Sequence, residues 1–558
     1  MTDESEGAYA RRRLLRTRRV AAKRVMVVGL TSSYWAADTS DPVLETTVGG
    51  VLREAAALAA DELAMVGGLP DPASRRRWTF GELLDDAERA ARALAARFAP
   101  GERVAVWAPN LPEWVVLEFG AALAGLTLVT VNPAYRPQEL RYVLDQSQAS
   151  GIFLVPEFRG PMAEYLAEVQ PELPGLREVV LFTEWDEFLA SAYHDQQLPE
   201  VEPEDIAQIQ YTSGTTGFPK GALLTHRGLT NNARFFARLM RLQPNEVYVN
   251  PMPMFHTAGC SLAVLGSVQT RAVHVPVLAF DPGLVLELLE AERASAMLGV
   301  PTMLIALLEH PDFAVRDLSS LRCVLSGGAP VPPELVRRVE EDMGVTFSIV
   351  FGTTECSPLV TQTRLDDVPS DRASTLGQPF PQTEIMVCDP ASGEPVPVEQ
   401  VGELCARGYM VMAGYNQQPE ATAAAIDLAG WYHTGDLASM DERGYLRIEG
   451  RLKDMIIRGG ENIYPREIEE LLFAHPDVAE VAVCGEPDER WGEVVAAFVR
   501  PAPGRVASEA ELREFCRAHL AAYKCPQRWV FLDAFPLTAS GKIQKFKLRQ
   551  SLVPIPPS

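Results

Sequence analysis

The chain has 558 residues, of which 47% are hydrophobic and 22% charged, and its formal net charge is -23. This length exceeds the size at which one hydrophobic core stops growing, so we expect a large body and at least one smaller domain. The composition is typical of a globular protein, and so acidic a chain lacks the basic face that general nucleic-acid binding requires.

The N-terminus is a basic segment. Arginine and lysine dominate residues 11–24 and precede a short apolar run, residues 25–30. That run is too short to cross a bilayer, so no integral membrane span is predicted. A transit peptide is the alternative, but Asp3, Glu4 and Glu6 disagree with the acid-poor composition of such peptides. We therefore expect a basic, disordered tail on a cytoplasmic protein.

The hydrophobic pattern of the next part of the chain predicts alternating helices and strands. Helical periodicity runs over Leu52–Leu63 and Phe80–Phe98. Short apolar runs typical of buried strands occupy Arg103–Trp107, Leu126–Val131 and Gly151–Val155. This alternation predicts a layered α/β architecture.

A change of pattern near residue 450 predicts a second domain. Short strand-like and helical segments follow, among them Ala479–Cys484, Glu493–Val499 and Glu509–His519. The preceding segment, Gly450–Gly460, is rich in glycine and charge, which suits a hinge. The predicted organisation is a tail over residues 1–30, a large multi-sheet α/β N-terminal domain over 31–452, and a small mobile α+β C-terminal domain over 453–558.

Eight cysteines are scattered along the chain without CxxC pairs. This spacing is typical of reduced intracellular thiols. It predicts neither a disulfide framework nor a structural zinc site.

A loop rich in glycine and hydroxyl groups is the most informative stretch. It follows the apolar segment Ile206–Tyr211 and reads Thr212-Ser213-Gly214-Thr215-Thr216-Gly217-Phe218-Pro219-Lys220-Gly221. Glycines let the backbone approach an anion, hydroxyls donate hydrogen bonds, and the lysine supplies a compact positive charge, so the loop suits a polyphosphate. It is not a Walker loop, because glycine and not Ser or Thr follows the lysine. An ordinary polar turn is the alternative that this residue order disfavours.

The order of the loop resembles the phosphate-binding signature of the adenylate-forming superfamily, which includes acyl-CoA synthetases, peptide-synthetase adenylation domains and luciferases. Further segments resemble the same family, in its order, from about residue 75 onward. They correspond to its acyl-pocket, adenine and magnesium, ribose, hinge, thiol-channel and catalytic-lysine segments: Pro253–Gly259, Phe351–Glu355, Trp431–Asp436, Gly450–Asp454, Gly459–Pro465 and Pro536–Ile543.

This resemblance implies the cofactors ATP and Mg²⁺, with coenzyme A as a co-substrate, and it implies the residues that bind them. Glu355 and Thr215 would ligate the metal, as hard oxygen donors do. The implied cofactor-binding residues are Thr212, Ser213, Gly214, Thr215, Thr216, Gly217, Lys220, Gly328, Ala329, Phe351, Gly352, Asp436, Arg451, Gly459 and Gly460.

The implied catalytic residues are Lys542, Glu355, Thr354 and His256. The use of lysine supports the first of these independently, because the chain has 51 basic residues and only seven are lysine. A small ammonium fits between a carboxylate and a phosphate where a planar guanidinium is bulky. We therefore predict that Lys542 stabilises the charge of an in-line transition state. A solvated lysine and, for His256, a core histidine are the alternatives.

The implied reaction has two steps separated by a rotation about Lys453. ATP would activate a carboxylic acid as an acyl-adenylate, and coenzyme A would then take the acyl group as a thioester. The apolar, small-residue segments Gly299–Leu307 and Leu325–Pro330 suggest a fatty or aromatic acid. We expect a monomer or homodimer whose partners are small molecules and not nucleic acid.

Two alternatives remain open at this point. An adenylate-forming ligase could pass the activated group to another nucleophile, such as a carrier-protein thiol, an amine or another small molecule, in a biosynthetic pathway. The chain could also be an inactive nucleotide-binding scaffold, which the joint presence of Lys220, Glu355, Asp436, Arg451 and Lys542 disfavours.

Overall fold

The computed structural model describes residues 29–193, 195–212, 219–459, 461–488, 490–537 and 543–552. The predicted tail therefore lies outside the described residues except for its last two positions. There the Leu30 N–H donates to the Glu442 carbonyl at 2.8 Å, which ties the start of the described chain to the body.

A mostly parallel sheet of seven strands, which we call the first sheet, includes the two strands that flank the predicted phosphate-binding loop, Thr212–Gly221. We call this loop the phosphate loop. Neighbouring strands in the sheet are, in order, Gly414–Tyr415, Lys220–Thr225, Ile206–Thr212, Thr127–Thr130, Arg103–Trp107, Gly151–Leu154 and Glu178–Leu181. The last five run parallel and the first two are antiparallel to their neighbours. Buried parallel strands have near-continuous apolar runs, as Val104–Trp107 shows.

The second sheet has nine strands and a parallel centre. Their order is Gln378–Pro379, Leu359–Gln362, Thr346–Gly352, Cys323–Gly327, Ala296–Leu298, Val247–Asn250, Val273–Pro276, Leu63–Val66 and Arg77–Thr79. The third sheet is antiparallel and has five strands, Tyr34–Trp35, Thr383–Cys388, Gly402–Gly408, Tyr432–Met440 and Leu446–Arg451.

Helices cover the sheets of the body. They span Val48–Ala59, Phe80–Ala95, Pro112–Leu123, Pro137–Ser147, Met162–Val169, Trp185–Ala190, His226–Leu239, Gly266–Thr270, Pro282–Ala291, Pro301–Glu309, Pro333–Met343, Pro369–Ser374 and Pro419–Ala425. Their starts follow from local chemistry, since Thr79 and Glu82 form a capping box and Asp281 caps the Leu284 N–H. Proline often occupies the first turn, where its missing N–H costs nothing.

Residues 456–552, the C-terminal unit, have hydrophobic clusters of their own. Their sheet pairs the strands Glu461–Ile463, Ile456–Arg458, Gly492–Pro501 and Val478–Asp488, with Arg528–Phe531 beside Gly492–Pro501. The helices of this unit are Pro465–Phe473, Glu509–His519 and Lys545–Leu552. The predicted fold class, a multi-sheet α/β body followed by an α+β segment, is confirmed.

One predicted helix is misplaced. The pattern favoured Leu52–Leu63, whereas the helix spans Val48–Ala59 because the Thr47 side chain caps it at the Gly50 N–H. Leu63 instead begins a strand that pairs with Arg77–Thr79. Short apolar runs fit both structures, so tertiary pairing decides between them.

Among the described residues, no helix is long and apolar enough for a membrane crossing.

Candidate active site

The phosphate loop links two antiparallel neighbours in the first sheet. Thr212 ends one strand, Lys220 begins the next, and the two residues lie opposite each other in the register. The Thr212 hydroxyl donates to the Lys220 carbonyl at 3.4 Å. Ser213, Gly214, Thr215, Thr216 and Gly217 lie outside the described residues, so the structure places the two flanks of the loop.

Lys220 is joined to Glu355 through Tyr415. Tyr415 pairs with Ala222 at the edge of the first sheet, and its ring centroid lies 4.9 Å from Lys220 Nζ. Its hydroxyl donates to Glu355 Oε1 at 2.8 Å. Burial and the neighbouring carboxylate raise the pKa of Tyr415, so the phenol keeps its proton. An ammonium and a carboxylate thus flank one aromatic ring beside the loop.

Glu355 and Thr354 form a 3₁₀ turn just after the strand Thr346–Gly352. Glu355 is only 8% exposed, and its backbone carbonyl accepts the Met412 N–H at 2.8 Å. The strand can turn into this position because Gly352 has no side chain. A Cβ there would lie 1.9 Å from the Pro358 carbonyl oxygen. The carboxylate is therefore held on a fixed backbone.

Four of the predicted cofactor-binding residues lie at one end of the second sheet. Cys323–Gly327 and Thr346–Gly352 are parallel, with Gly327 opposite Val350. Gly328 and Ala329 follow the first of these strands, and Phe351 and Gly352 end the second. Because the carboxyl ends of parallel strands share one edge, these four residues lie together where an α/β sheet commonly binds its ligand.

Asp436 and Arg451 lie directly opposite each other in the third sheet. Arg451 Nε is 3.0 Å from Asp436 Oδ1, and the carboxylate side chain is 6% exposed against 52% for the guanidinium. The Asp436 N–H donates to the Thr434 hydroxyl at 3.0 Å, which fixes its backbone. This pair presents an acceptor and a donor together, as a sugar diol requires.

His256 precedes an irregular helix. Residues Ala258–Leu265 form a π-helix, a local geometry that is frequent at functional sites. The Ala258 N–H donates to His256 Nδ1 at 3.2 Å, so this ring nitrogen acts as the acceptor. A Cβ at Gly259 would lie 2.3 Å from the Pro253 carbonyl oxygen, which requires glycine at that position.

A buried polar chain that the sequence did not predict joins this helix to the phosphate-loop strand. Gln210 donates to Cys260 Sγ at 3.1 Å and to Gln208 Oε1 at 2.7 Å. Gln208 in turn donates to Glu118 Oε1 at 2.7 Å. Burial raises the pKa of Glu118, which favours its neutral form. Gln208 and Gln210 are buried and alternate with apolar residues in one strand, and this pattern could have revealed the hydrogen-bond network.

The C-terminal part of the predicted site is only partly described. Lys453 lies in the turn Leu452–Asp454, where burial and then Arg451 lower its pKa. The Gly459 N–H donates to the Trp491 carbonyl at 2.7 Å. Gly460 and Lys542 lie outside the described residues, although Leu537 and Ile543 form an antiparallel bridge that flanks the lysine loop.

Comparison with known proteins decides the family. Residues 52–416 match the family model of the AMP-binding enzyme, and residues 467–542 match the AMP-binding enzyme C-terminal domain. The chain belongs to the AMP-binding enzymes. This AMP-binding enzyme thus carries both parts of the family's architecture, and the predicted resemblance to the adenylate-forming superfamily is confirmed.

Relatives of this AMP-binding enzyme are acyl-CoA ligases. The Bacillus subtilis protein YngI, provisionally named an acyl-CoA synthetase, is 41% identical over 92% of this chain and 98% of its own. The mitochondrial medium-chain acyl-CoA ligase ACSF2 of Danio rerio is 38% identical over 93% and 91%. The structure of the anthranilate CoA ligase AuaEII with anthranoyl-AMP superposes with a TM-score of 0.84 at 26% identity, covering 92% and 98%. The predicted enzyme class, an AMP-forming acid–thiol ligase, agrees with these relatives.

Proposed function

We propose that this enzyme uses ATP and Mg²⁺ to activate a medium-chain fatty acid as its acyl-adenylate and then transfers the acyl group to coenzyme A. The observation that carries the proposal is the arrangement of Lys220, Tyr415 and Glu355 beside the phosphate loop, with Asp436 and Arg451 paired in the third sheet. An inactive scaffold would have no need of a buried carboxylate held by a tyrosine whose ring lies against an ammonium.

The donor set suits magnesium. Glu355 is a buried carboxylate whose Oε1 already accepts one hydrogen bond, and a carboxylate retains further lone pairs for a hard cation. The hydroxyl of Thr215 is the second ligand we assign. When bound, the ion neutralises the charge of the phosphate oxygens.

In the adenylation step, the chain positions two anions against each other. The acid's carboxylate oxygen attacks the α-phosphorus, the bond to the bridging oxygen breaks, and pyrophosphate leaves with both electrons of that bond. Thr212 and Lys220 hold the phosphates at the loop's flanks, and Asp436 and Arg451 bind the ribose. We assign the charge stabilisation at the α-phosphate to Lys542.

The thioester step needs the same site with Lys542 removed. We assign the hinge to Lys453, with the small C-terminal domain beginning there, and the thiol channel to Gly459 and Gly460. After the rotation the thiol of coenzyme A attacks the acyl carbonyl, AMP leaves, and the thiol proton passes to solvent. His256, which precedes the π-helix, is the residue we assign to the gate between acyl pocket and thiol.

Two observations support a medium-chain acid. The mitochondrial relative is named a medium-chain acyl-CoA ligase, and the predicted pocket segments Gly299–Leu307 and Leu325–Pro330 are largely apolar. An aromatic acid is the second candidate, because the structural neighbour AuaEII is an anthranilate CoA ligase. We place the enzyme in the cytoplasm, since its eight cysteines are free and buried. We expect it to be a monomer or homodimer.

A panel of straight-chain fatty acids and substituted benzoates tests the proposal. Each acid is incubated with ATP and Mg²⁺, with and without coenzyme A, and adenylates and thioesters are read by mass spectrometry. We expect medium-chain adenylates without coenzyme A and thioesters with it. Adenylates that never become thioesters would indicate that another nucleophile accepts the acyl group. ATP binding without adenylate formation would indicate an inactive scaffold.

A further inference from the structure

A second cluster of reactive side chains lies in the third sheet, away from the phosphate loop. Cys388 lies opposite Glu403 on the neighbouring strand, and Cys405 on that strand lies opposite His433 on the next. Sulfur, carboxylate and imidazole groups from three strands therefore meet. The cysteine spacing predicted no structural zinc site, because the two cysteines are not in a CxxC pair and only the sheet brings them together.

The distances within the cluster are short. Cys388 Sγ and Cys405 Sγ are 3.6 Å apart, and Cys405 Sγ is 3.4 Å from His433 Nδ1. His433 Nδ1 is 2.9 Å from Glu403 Oε2. One ligand atom from each of Cys388, Glu403 and Cys405 lies within 4.8 Å of the others.

The sulfur–sulfur and sulfur–nitrogen separations match two edges of a tetrahedral zinc site, whereas the shorter distance from His433 Nδ1 to Glu403 is that of a hydrogen bond. With Zn–S bonds of about 2.3 Å, two sulfur ligands lie about 3.8 Å apart, and a sulfur and a nitrogen ligand lie about 3.5 Å apart. The observed sulfur–sulfur and sulfur–nitrogen distances agree with both edges within a few tenths of an ångström. A carboxylate and an imidazole are the other ligand types that zinc accepts.

The cluster is enclosed but has an access route. Cys388 and Cys405 are fully buried and Glu403 is 8% exposed. Trp431 and Met386 pack over the sulfur atoms. His433 is 31% exposed, and its Nε2 lies 3.9 Å from the carboxylate of Asp427, which is 40% exposed. Asp427 at the surface and His433 behind it therefore mark the side from which we expect a cation to enter.

We propose that Cys388, Cys405 and Glu403 bind one thiophilic divalent cation, best matched by Zn²⁺, and that His433 completes the four ligands by a rotation of its ring. Binding releases the two thiol protons and changes no oxidation state. The role fits a closed structural site, because all four positions are filled by protein groups.

The site is connected to the nucleotide site through Glu403. Its other carboxylate oxygen, Oε1, accepts the Gly435 N–H at 3.1 Å, and Gly435 immediately precedes Asp436. An ion that fixes Glu403 therefore also fixes the backbone that carries Asp436. The cation would restrain the ribose end of the active site without touching the substrate.

Cobalt is a direct probe, and its readout does not depend on acid activation. The full chain, kept reduced and stripped with a chelator, is titrated with Co²⁺ while the sulfur-to-cobalt charge-transfer absorption is followed. We expect the signal to saturate at one ion per chain and to disappear when Zn²⁺ is added. Cys388→Ser and Cys405→Ser should each weaken binding by at least about tenfold, whereas Cys525→Ser, a control at another buried cysteine, should not.

A second measurement covers the case in which these variants fail to fold. In the wild-type chain, Zn²⁺ should slow the alkylation of Cys388 and Cys405, read peptide by peptide, and leave the rate at Cys525 unchanged. Equal rates with and without Zn²⁺ overturn the proposal. So does a cobalt signal that survives both substitutions.

Discussion

The large body and the C-terminal unit use their charged residues differently. In the body, Glu355 is held by the Tyr415 hydroxyl and Asp436 by Arg451, and both acids lie at the predicted nucleotide site. In the C-terminal unit, Lys524 and Lys545 lie 2.6 Å from the carboxylates of Glu467 and Glu469, which belong to a helix of the same unit.

This difference separates two uses of charge within one chain. Glu355 and Asp436 belong to the predicted ligand site, whereas the paired lysines of the C-terminal unit stabilise that unit itself. Burial opposes the charged form of Lys545, but Glu469 outweighs it and raises the pKa. A substitution at the site should therefore affect chemistry, and one at a paired lysine should affect folding.

The largest expected effect comes from Lys542→Ala, which removes the one cation that we assign to catalysis in the C-terminal unit. Adenylation, read as ATP–pyrophosphate exchange, should fall by about 10² to 10³-fold, the cost of losing one charge-stabilising donor. Thioester formation from supplied acyl-adenylate should persist. Lys547→Ala, a matched control at an exposed lysine of the following helix, should keep its exchange rate. A wild-type rate of ATP–pyrophosphate exchange in Lys542→Ala would contradict the catalytic role that we assign to this lysine.

Lys453→Pro tests whether the two regions must move relative to each other. Proline fixes φ near −65° and should prevent the rotation that admits the thiol. We expect thioester formation to fall by about 10²-fold, the scale of a misplaced reacting group, while pyrophosphate exchange is retained. Lys453→Ala, which removes the side chain beyond Cβ and leaves the backbone free to rotate, should leave both steps near wild type. Equal losses in both steps for the proline variant would contradict a hinge.

Tyr415→Phe sharpens the comparison within the body. It keeps the ring near Lys220 and removes the hydrogen bond to Glu355, which is worth about 1.5–3 kcal/mol for a charged acceptor, so exchange should fall by about tenfold or more. Tyr445→Phe is a matched control, because its hydroxyl also donates to a carboxylate, Asp367, at 2.6 Å. If the two variants lose equal activity, the effect is on stability and not on the site.

Acid should weaken the body before the C-terminal unit. Burial lowers the pKa of His226, whose Nδ1 accepts the Val48 N–H, to about 4. The unfolded chain then binds the proton first, so stability falls by up to about 1.4 kcal/mol per pH unit as the pH drops from about 6.5 to 4. The raised pKa of Lys545 gives a contribution that is lost only as the pH rises above about 10.4.

Hydrogen exchange resolved by peptide measures this difference. Between pH 7.5 and 5, after correction for intrinsic rates, helices Val48–Ala59 and His226–Leu239 should lose protection relative to Pro465–Phe473. His226→Asn, which keeps an acceptor for the Val48 N–H, should reduce that loss. An unchanged difference in this variant would assign the acid sensitivity to other groups.

The sequence predicted the fold through local signals. Arg103–Trp107 and Glu509–His519 have the predicted bounds, because a strand that is apolar after its first residue and a clearly periodic helix leave little freedom. The end of the predicted Leu52–Leu63 helix is misplaced because apolar residues recur after Asp61 and Glu62, where a strand begins. Helix ends are set by single caps such as Thr47, which hydrophobic patterns do not register.

The site was predicted through motifs and missed where it depends on distant pairing. Glu355, Asp436 and Lys220 belong to contiguous signatures. Tyr415 lies 60 residues from Glu355 and reaches it only because its strand joins the edge of the first sheet. Cys388 and Cys405 are likewise brought together by strand pairing. Such contacts come from topology, and no local pattern encodes them.

Gly259 constrains how substrate choice can change. A side chain added at Gly259 would collide with the Pro253 carbonyl oxygen, and no repacking of neighbouring side chains relieves that contact. We therefore expect that no side chain at Gly259 can narrow the predicted acyl pocket, and that a change toward shorter acids needs substitutions elsewhere. Helix Pro301–Glu309, which carries half-buried Ile305 and Leu308 and overlaps the predicted pocket segment Gly299–Leu307, is where we expect a library of variants to change substrate choice.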